Sequence, residues 1–400
     1  MDALDGLTVL DFSGHIAGPY TTKLLADLGA RVIKVERPGG DPSRSLPPFL
    51  GDQRGIERSA TFQFLNTNKE SVVIDLTRAQ ARPLVDALIH MADLVVVASP
   101  PAVAEKLGLT YERISATRDI PVLSITNFGN SGPYRDYRLS ETVLFAMGGE
   151  MWSHGTKDRE PLKIGMTASL MQCGAMGAIA ALGAVHAYEL HGVGQHVELP
   201  LFEVQINSVD RRSSAILAYR FSGRVNDRPP GAGAGLAGGI YPCADGYVEV
   251  TASFGAYWNR FAAMIGDPVL MEERWNNPVT QFDPKAKEEA DAIIYPWMLS
   301  RTRQEIWAEA RRVHAIVAPL FTGEDLYHDP VFRERGLWSE IEHRLLGTLP
   351  MLGRPYILSE TPWRIRHPAP TLGEHTRSVL TEAGIDSSTI DDLLAIGVLG

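Results

Sequence analysis

The amino-acid sequence predicts an α/β protein built on a parallel sheet, and three observations carry that expectation. Short apolar runs with strand character alternate with helical stretches of about 10–15 residues through the first part of the chain. Gly or Pro punctuates most of the run ends. Several of the segments following the runs are rich in glycine, as close backbone approach to a ligand requires.

Leu7–Phe12 reads as the first strand and ends in Ser13-Gly14. Tyr20 to Leu28 reads as a helix, with Leu24, Leu25 and Leu28 on one face and Gly29 as its stop. Arg31–Glu36 is a second strand closed by Pro38-Gly39-Gly40, and Ser71–Asp75 a third. A helix from about Arg78 to His90 leads to strands at Asp93–Val97 and Pro121–Thr126. Ligands of such sheets settle beyond the carboxyl ends of the strands, here Ser13–Pro19, Glu36–Asp41, Ala98–Pro101 and Asn127–Pro133. No GxGxxG fingerprint follows the first strand, which argues against a dinucleotide site.

Residues 168–190 predict a long helix dense in Gly and Ala, whose small faces suit close packing in a core or at a subunit interface. His196–Leu199 and a helix from Leu201 to Tyr219 follow. Arg224–Gly239, rich in Gly and Pro, reads as a loop opening a second, smaller lobe. That lobe holds a strand at Gly246–Ala252 and helices near Ala256–Ile265, Pro284–Leu299 and Arg303–His314. The expected division is 1–222 for the large lobe, 223–328 for the small one, and 329–400 for a return that closes in a helical tail.

A chain of 400 residues exceeds what one core usually holds, in keeping with two lobes. The net charge of −10 argues against a nucleic-acid partner, although a local basic cluster can still hold an anion. Two cysteines, Cys173 and Cys243, exclude a disulfide framework and a Cys-rich metal site and fit a reducing compartment. The N-terminus carries no signal-peptide pattern, and no apolar run reaches the length of a membrane span, Ala175–Val185 being the richest. The expectation is a cytoplasmic protein with neither membrane nor nucleic-acid partner.

Several ordered motifs carry more. His15-Ile16-Ala17-Gly18-Pro19-Tyr20 is followed by Leu25–Ala30 and by Val32–Asp41. Asn66-Thr67-Asn68-Lys69, Lys106-Leu107-Gly108-Leu109, Phe128–Tyr134, Gly192–Val197 and Leu372–Thr376 continue the series. In these motifs the sequence resembles the class III CoA-transferases, the family of formyl-CoA transferase, carnitine CoA-transferase and alpha-methylacyl-CoA racemase. The resemblance implies a Rossmann-like large lobe built from both chain ends, a smaller α+β lobe from the middle, and two monomers interlocked as a dimer. It implies coenzyme A or an acyl-CoA as substrate, a carboxylic acid as acceptor, and no metal.

The family's CoA contacts fall on His15, Ile16, Ala17, Arg37, the strand end at Ile74 and Leu76, Ala98, Ser99, Lys106 and Arg138. Arginine offers a forked donor set and lysine a point charge for the diphosphate and 3′-phosphate. Taken singly, each of these cations reads as a solvated surface charge. The motif context moves Arg37 furthest from that reading.

Family chemistry rests on an aspartate four residues before a glycine at the start of the central helix, which passes through an anhydride and a CoA thioester. Four residues before Gly174 stands Leu170, which has no nucleophilic or acid–base chemistry. Among neighbours, Cys173 reads as packing, Ser169 as a helix-start residue, and Glu141 as either a structural acid or a catalytic candidate. The racemase pair would fall on Ser140 and Leu170, so that mechanism is disfavoured. Some CoA-transferases of aromatic degradation, such as that for benzylsuccinate, have paired subunits. The favoured expectation is therefore the non-nucleophilic subunit of a heteromeric enzyme whose second class III subunit brings the aspartate. A homodimer using the cleft for isomerase, lyase or hydrolase chemistry, or for CoA-ester binding alone, is the alternative. Gly231–Gly239 reads either as a lid over the thioester or as a plain linker.

Overall fold

The computed structural model describes residues 2–207, 210–225, 227–228, 235–252 and 255–400. Its main sheet has six strands: β1 (Thr8–Phe12), β2 (Arg31–Glu36), β3 (Lys69–Val73), β4 (Leu94–Ala98), β5 (Val122–Thr126) and β6 (His196–Pro200). Their order is β3-β2-β1-β4-β5-β6, and every neighbouring pair is parallel. The runs are apolar on both faces because helices cover both faces. One core layer gathers Leu10, Ile33, Val72 and Val95, the other Val9, Val32, Leu94 and Leu123. The strand order runs outward in opposite directions from β1 and β4, so the crevice at their carboxyl ends is the expected place for a ligand.

The helices that frame this sheet are α1 (Ala17–Asp27), α2 (Ala60–Leu65), α3 (Ala81–Met91), α4 (Pro101–Leu107), α5 (Tyr111–Ser115), α6 (Glu141–Met147), α7 (Ala168–His191), α8 (Leu201–Asn207) and α9 (Asp210–Ser222). The predicted helix from Leu201 to Tyr219 corresponds to α8 and α9, with residues 208–209 outside the described residues. Strand β3 begins two residues earlier than expected, at Lys69, because that lysine pairs in register with Val32.

Glycines decide how α7 packs. A Cβ on Gly174 would sit 2.6 Å from the Ala17 carbonyl, and one on Gly177 would sit 2.4 Å from Thr21 Oγ1. The Thr21 hydroxyl donates to the Gly174 carbonyl at 2.9 Å, locking α1 onto α7. Contrary to the sequence reading, α7 is long and apolar enough by composition to cross a membrane, because Leu170, Met171 and Cys173 extend the apolar run toward its N-terminus. Half of its most apolar window is buried inside the protein.

The chain divides into two compact units. The first comprises Met1–Met151, Lys163–Gly223 and Phe332–Gly400, the second Trp152–Leu162 and Arg224–Val331. Segment 152–162, placed in the large lobe by the sequence reading, belongs to the second unit because Arg228 binds it. The Arg228 guanidinium donates to the carbonyls of Thr156, Trp152 and Arg159 at 3.1, 3.3 and 3.2 Å. The C-terminal return packs on β3, where Ile74 bridges to Leu399 and the His375 N–H donates to the Ser71 carbonyl at 2.9 Å.

Within the second unit, β7 (Gly238–Cys243), β8 (Gly246–Thr251) and β9 (Val317–Pro319) form an antiparallel sheet. It packs on helices whose core includes Trp258, Phe261 and Trp275. Of the glycine-rich segment 231–239, residues 231–234 lie outside the described residues. Its end is already strand β7, preceded by buried Leu236 and Ala237, so the loop is shorter than the sequence suggested.

Candidate functional site

Two cavities open beside each other at the switch point. The larger, about 280 Å³, lies over the ends of β1, β2 and β4 and is lined by Ser13, Gly14, Arg37, Leu76, Ala98 and Ser99 together with Val103 and Leu107 of α4. The smaller, about 140 Å³, is lined by Gly14 to Gly18, Ala98 to Pro100, Ile125, Asn127, Leu170 and Leu201. Gly14, Ala98 and Ser99 line both, so the turn after β1 forms a wall between them. Gly18 brings α1 against this wall, since a Cβ there would lie 2.3 Å from that of Ser13 and 2.9 Å from that of Ala98.

Charge at the larger cavity is uneven. Glu36 and Asp41 line it, but each is neutralised from behind, Glu36 by Arg44 at 2.8 Å and Asp41 by Lys34 at 2.7 Å. Arg37 is exposed, and only its Nε is engaged, donating to the Gly40 carbonyl at 3.1 Å. Its terminal nitrogens have no protein acceptor among the described residues and face solvent as a fork suited to phosphate. Lys106 stands exposed on α4 between the lining residues Val103 and Leu107. Neither Lys106 nor Arg138 pairs with an acid among the described residues.

Most of the residues expected from the resemblance converge. His15, Ile16 and Ala17 line the smaller cavity, Arg37 and Leu76 the larger, Ala98 and Ser99 both. Two do not. Ile74 is fully buried in the β3-side core and bridges to Leu399, so it supports the strand end without reaching either cavity. Arg138 lies in the exposed loop before α6 and lines neither.

Leu170 is 6 % exposed and lines the smaller cavity with His15 and Leu201. His15 is the one titratable side chain among its lining residues. Glu141 does not line it: its Oε1 accepts the Ser169 N–H at 2.9 Å, capping the first turn of α7. Its Oε2 is buried with no hydrogen-bond donor among the described residues. The Cys173 thiol is fully buried, and burial followed by the negative Glu141 pushes it up to about 12, so it is no nucleophile at neutral pH. Ser140 caps α6, its hydroxyl accepting the Val143 N–H at 3.3 Å.

Sequence reasoning missed the buried charges beneath the turn. The Asp11 carboxylate accepts the Ser13 N–H at 2.8 Å and lies 3.4 Å from the Lys69 ammonium. Burial, reinforced by the Lys34 cation against the pull of Asp11, pushes Lys69 down to about 7. Asp41 is held down at about 2, because Lys34 and the Ser43 donors outweigh the opposing effect of burial. A legible signal existed, namely acids and lysines inside otherwise apolar strand runs, Asp11 in TVLDF and Lys34 in RVIKVE.

A parallel six-stranded sheet with a lined crevice at its switch point defines an α/β ligand-binding protein. Comparison with known proteins gives the family: residues 4–376 match the model of CoA-transferase family III, and the chain belongs to that family. It is 30% identical over 404 residues to the succinyl-CoA:(R)-benzylsuccinate CoA-transferase subunit BbsE of Thauera aromatica, covering 98% of this chain and 97% of that one. The succinyl-CoA–D-citramalate CoA-transferase of Chloroflexus aurantiacus is also 30% identical, over 98% of this chain and 96% of its own. A CAIB/BAIF family protein from Brucella suis superposes with a TM-score of 0.83 at 28% identity, over 96% of this chain and 99% of that chain. The family acts on CoA thioesters, and the chain is accordingly a CoA-transferase family protein with an acyl-CoA as its implied substrate.

Proposed function

We propose that this chain binds an acyl-CoA across the two cavities and serves as the non-nucleophilic subunit of a heteromeric CoA-transferase. The observation that carries the reading is Leu170, which lines the smaller cavity where the family's nucleophilic aspartate is expected. Among the described residues no carboxylate lines that cavity, and Glu141 Oε1 accepts the Ser169 N–H instead.

In this reading the phosphates of CoA meet Arg37 and Lys106, and the pantetheine passes Ser99 toward His15. A second class III chain brings the carboxylate. That carboxylate attacks the thioester carbonyl, releasing CoA thiolate and forming an anhydride. The thiolate then attacks the enzyme carbonyl of that anhydride, releasing the donor acid and leaving an enzyme thioester. The acceptor carboxylate displaces CoA thiolate to form a second anhydride, and the thiolate takes the acceptor acyl group, freeing the enzyme carboxylate.

Two further observations support a partner. Ile179 and Leu190 of α7 and Leu217 and Phe221 of α9 are exposed, Phe221 to 86%. The Thauera aromatica relative is itself named as a subunit. Co-expression with a class III chain carrying the aspartate tests the reading, with co-purification and CoA transfer by the pair as the expected result. A chain that only self-associates, and never joins such a partner, contradicts it.

A second reading is supported by His15 as the sole titratable lining group of the smaller cavity, available to isomerase, lyase or hydrolase chemistry. Incubating the isolated chain with several acyl-CoAs and analysing products by mass spectrometry separates the two.

A further inference from the structure

The Ser13–His15 turn is held by charged side chains rather than by backbone. The Lys34 ammonium donates to the Ser13 carbonyl at 2.8 Å, Asp11 accepts the Ser13 N–H at 2.8 Å, and Asp41 Oδ1 accepts the His15 N–H at 3.1 Å. Lys34 and Asp41 lie 2.7 Å apart with side chains 0% and 1% exposed, and Asp11 stands 4.0 Å from the same ammonium. Asp41 is itself fixed, its Oδ1 accepting from the Ser43 N–H and hydroxyl at 2.7 Å each and its own N–H donating to Glu36 at 2.9 Å.

The turn needs such a hold. His15 has φ of 70°, a left-handed conformation that a residue with a Cβ adopts only under constraint. Its strain sits on the wall shared by the two cavities, with His15 facing Leu170 on one side and Ser13 facing Arg37 on the other. Buried ion pairs are weak investments in stability, since well-packed apolar residues of similar size often do as well. Their worth here is in where they point the backbone.

We infer that Asp41, with Lys34 as its counter-charge, is a positioning residue that fixes the Ser13–His15 turn as the wall between the two cavities and so sets the shape that an acyl-CoA meets. This inference rests on reading those cavities as the acyl-CoA site. Asp41 touches no reacting atom and acts through the backbone of His15.

Three variants test it. Asp41→Asn keeps an acceptor oxygen for the His15 N–H, Asp41→Ala removes it, and Lys34→Met with Asp41→Leu replaces the pair by apolar residues that can keep the fold. Calorimetry with CoA is expected to show about tenfold or greater loss of affinity for the double variant and for Asp41→Ala. Asp41→Asn should recover most of it, with thermal midpoints confirming folded protein throughout. Hydrogen exchange across residues 12–18 is expected to be faster in Asp41→Ala than in Asp41→Asn. A folded double variant with wild-type CoA affinity and wild-type exchange overturns the inference. A wild-type chain that binds no CoA removes the acyl-CoA reading instead, and exchange alone then decides whether the pair holds the turn.

Discussion

The Ser169 N–H donates to Glu141 Oε1 at 2.9 Å, one residue before Leu170. A carboxylate thus sits at the positive end of α7 but is engaged with its backbone. Removing it should loosen the helix start. Glu141→Ala is expected to cost about 1 kcal/mol in denaturant titration, while Glu141→Gln, which keeps an acceptor oxygen, should cost less.

The two expected CoA contacts Arg37 and Ile74 separate cleanly in this fold. Arg37→Ala should weaken CoA binding about tenfold, with less salt dependence than wild type, and leave the thermal midpoint nearly unchanged. Ile74→Ala should do the opposite, lowering stability by about 2–4 kcal/mol with little direct effect on affinity. Calorimetry and chemical denaturation on the same samples check both.

Much of this was legible in the sequence. Alternating runs gave the strands β1, β2, β4 and β5 within a residue or two, and the cavity-lining strand ends followed from parallel topology. Placing Leu170 needed only a register counted back from Gly174, and it lines the smaller cavity. What the sequence hid was long-range. Ile74 sits at a strand end that reads as ligand-facing, but the C-terminal residue Leu399, far away in sequence, covers it. Segment 152–162 belongs to the second unit only because Arg228 reaches back to it. Asp41 looked like part of a motif, and its bond to the His15 backbone needs the turn to be folded.

The α1–α7 crossing is set by the absence of a side chain. Gly177→Ala would put a methyl 2.4 Å from Thr21 Oγ1, in a place fixed by the Thr21 bond to the Gly174 carbonyl. The expected cost is about 1–3 kcal/mol by thermal or urea unfolding. Gly183, whose added Cβ would meet nothing within 4 Å, is the matched control, and Gly183→Ala should be neutral or stabilising.

Acid should expose the Asp41 pair. Its carboxyl is held at about 2 against an ordinary value of 3.8, so its contribution is complete above the ordinary value and is lost as pH falls toward 2. Integrated over that window it amounts to about 2 kcal/mol. Unfolding free energies at pH 5 and pH 2.5 should therefore fall less steeply in Asp41→Asn than in wild type.

The proposed function has this chain keep a CoA cleft without a nucleophile of its own. CoA transfer from succinyl-CoA to a series of carboxylic acids, measured chromatographically with the purified chain alone and with Leu170→Asp, tests it most directly. The predicted result is no transfer by the wild-type chain and measurable transfer by the variant, in which a carboxylate faces the smaller cavity. Turnover by the wild-type chain without a partner would contradict it.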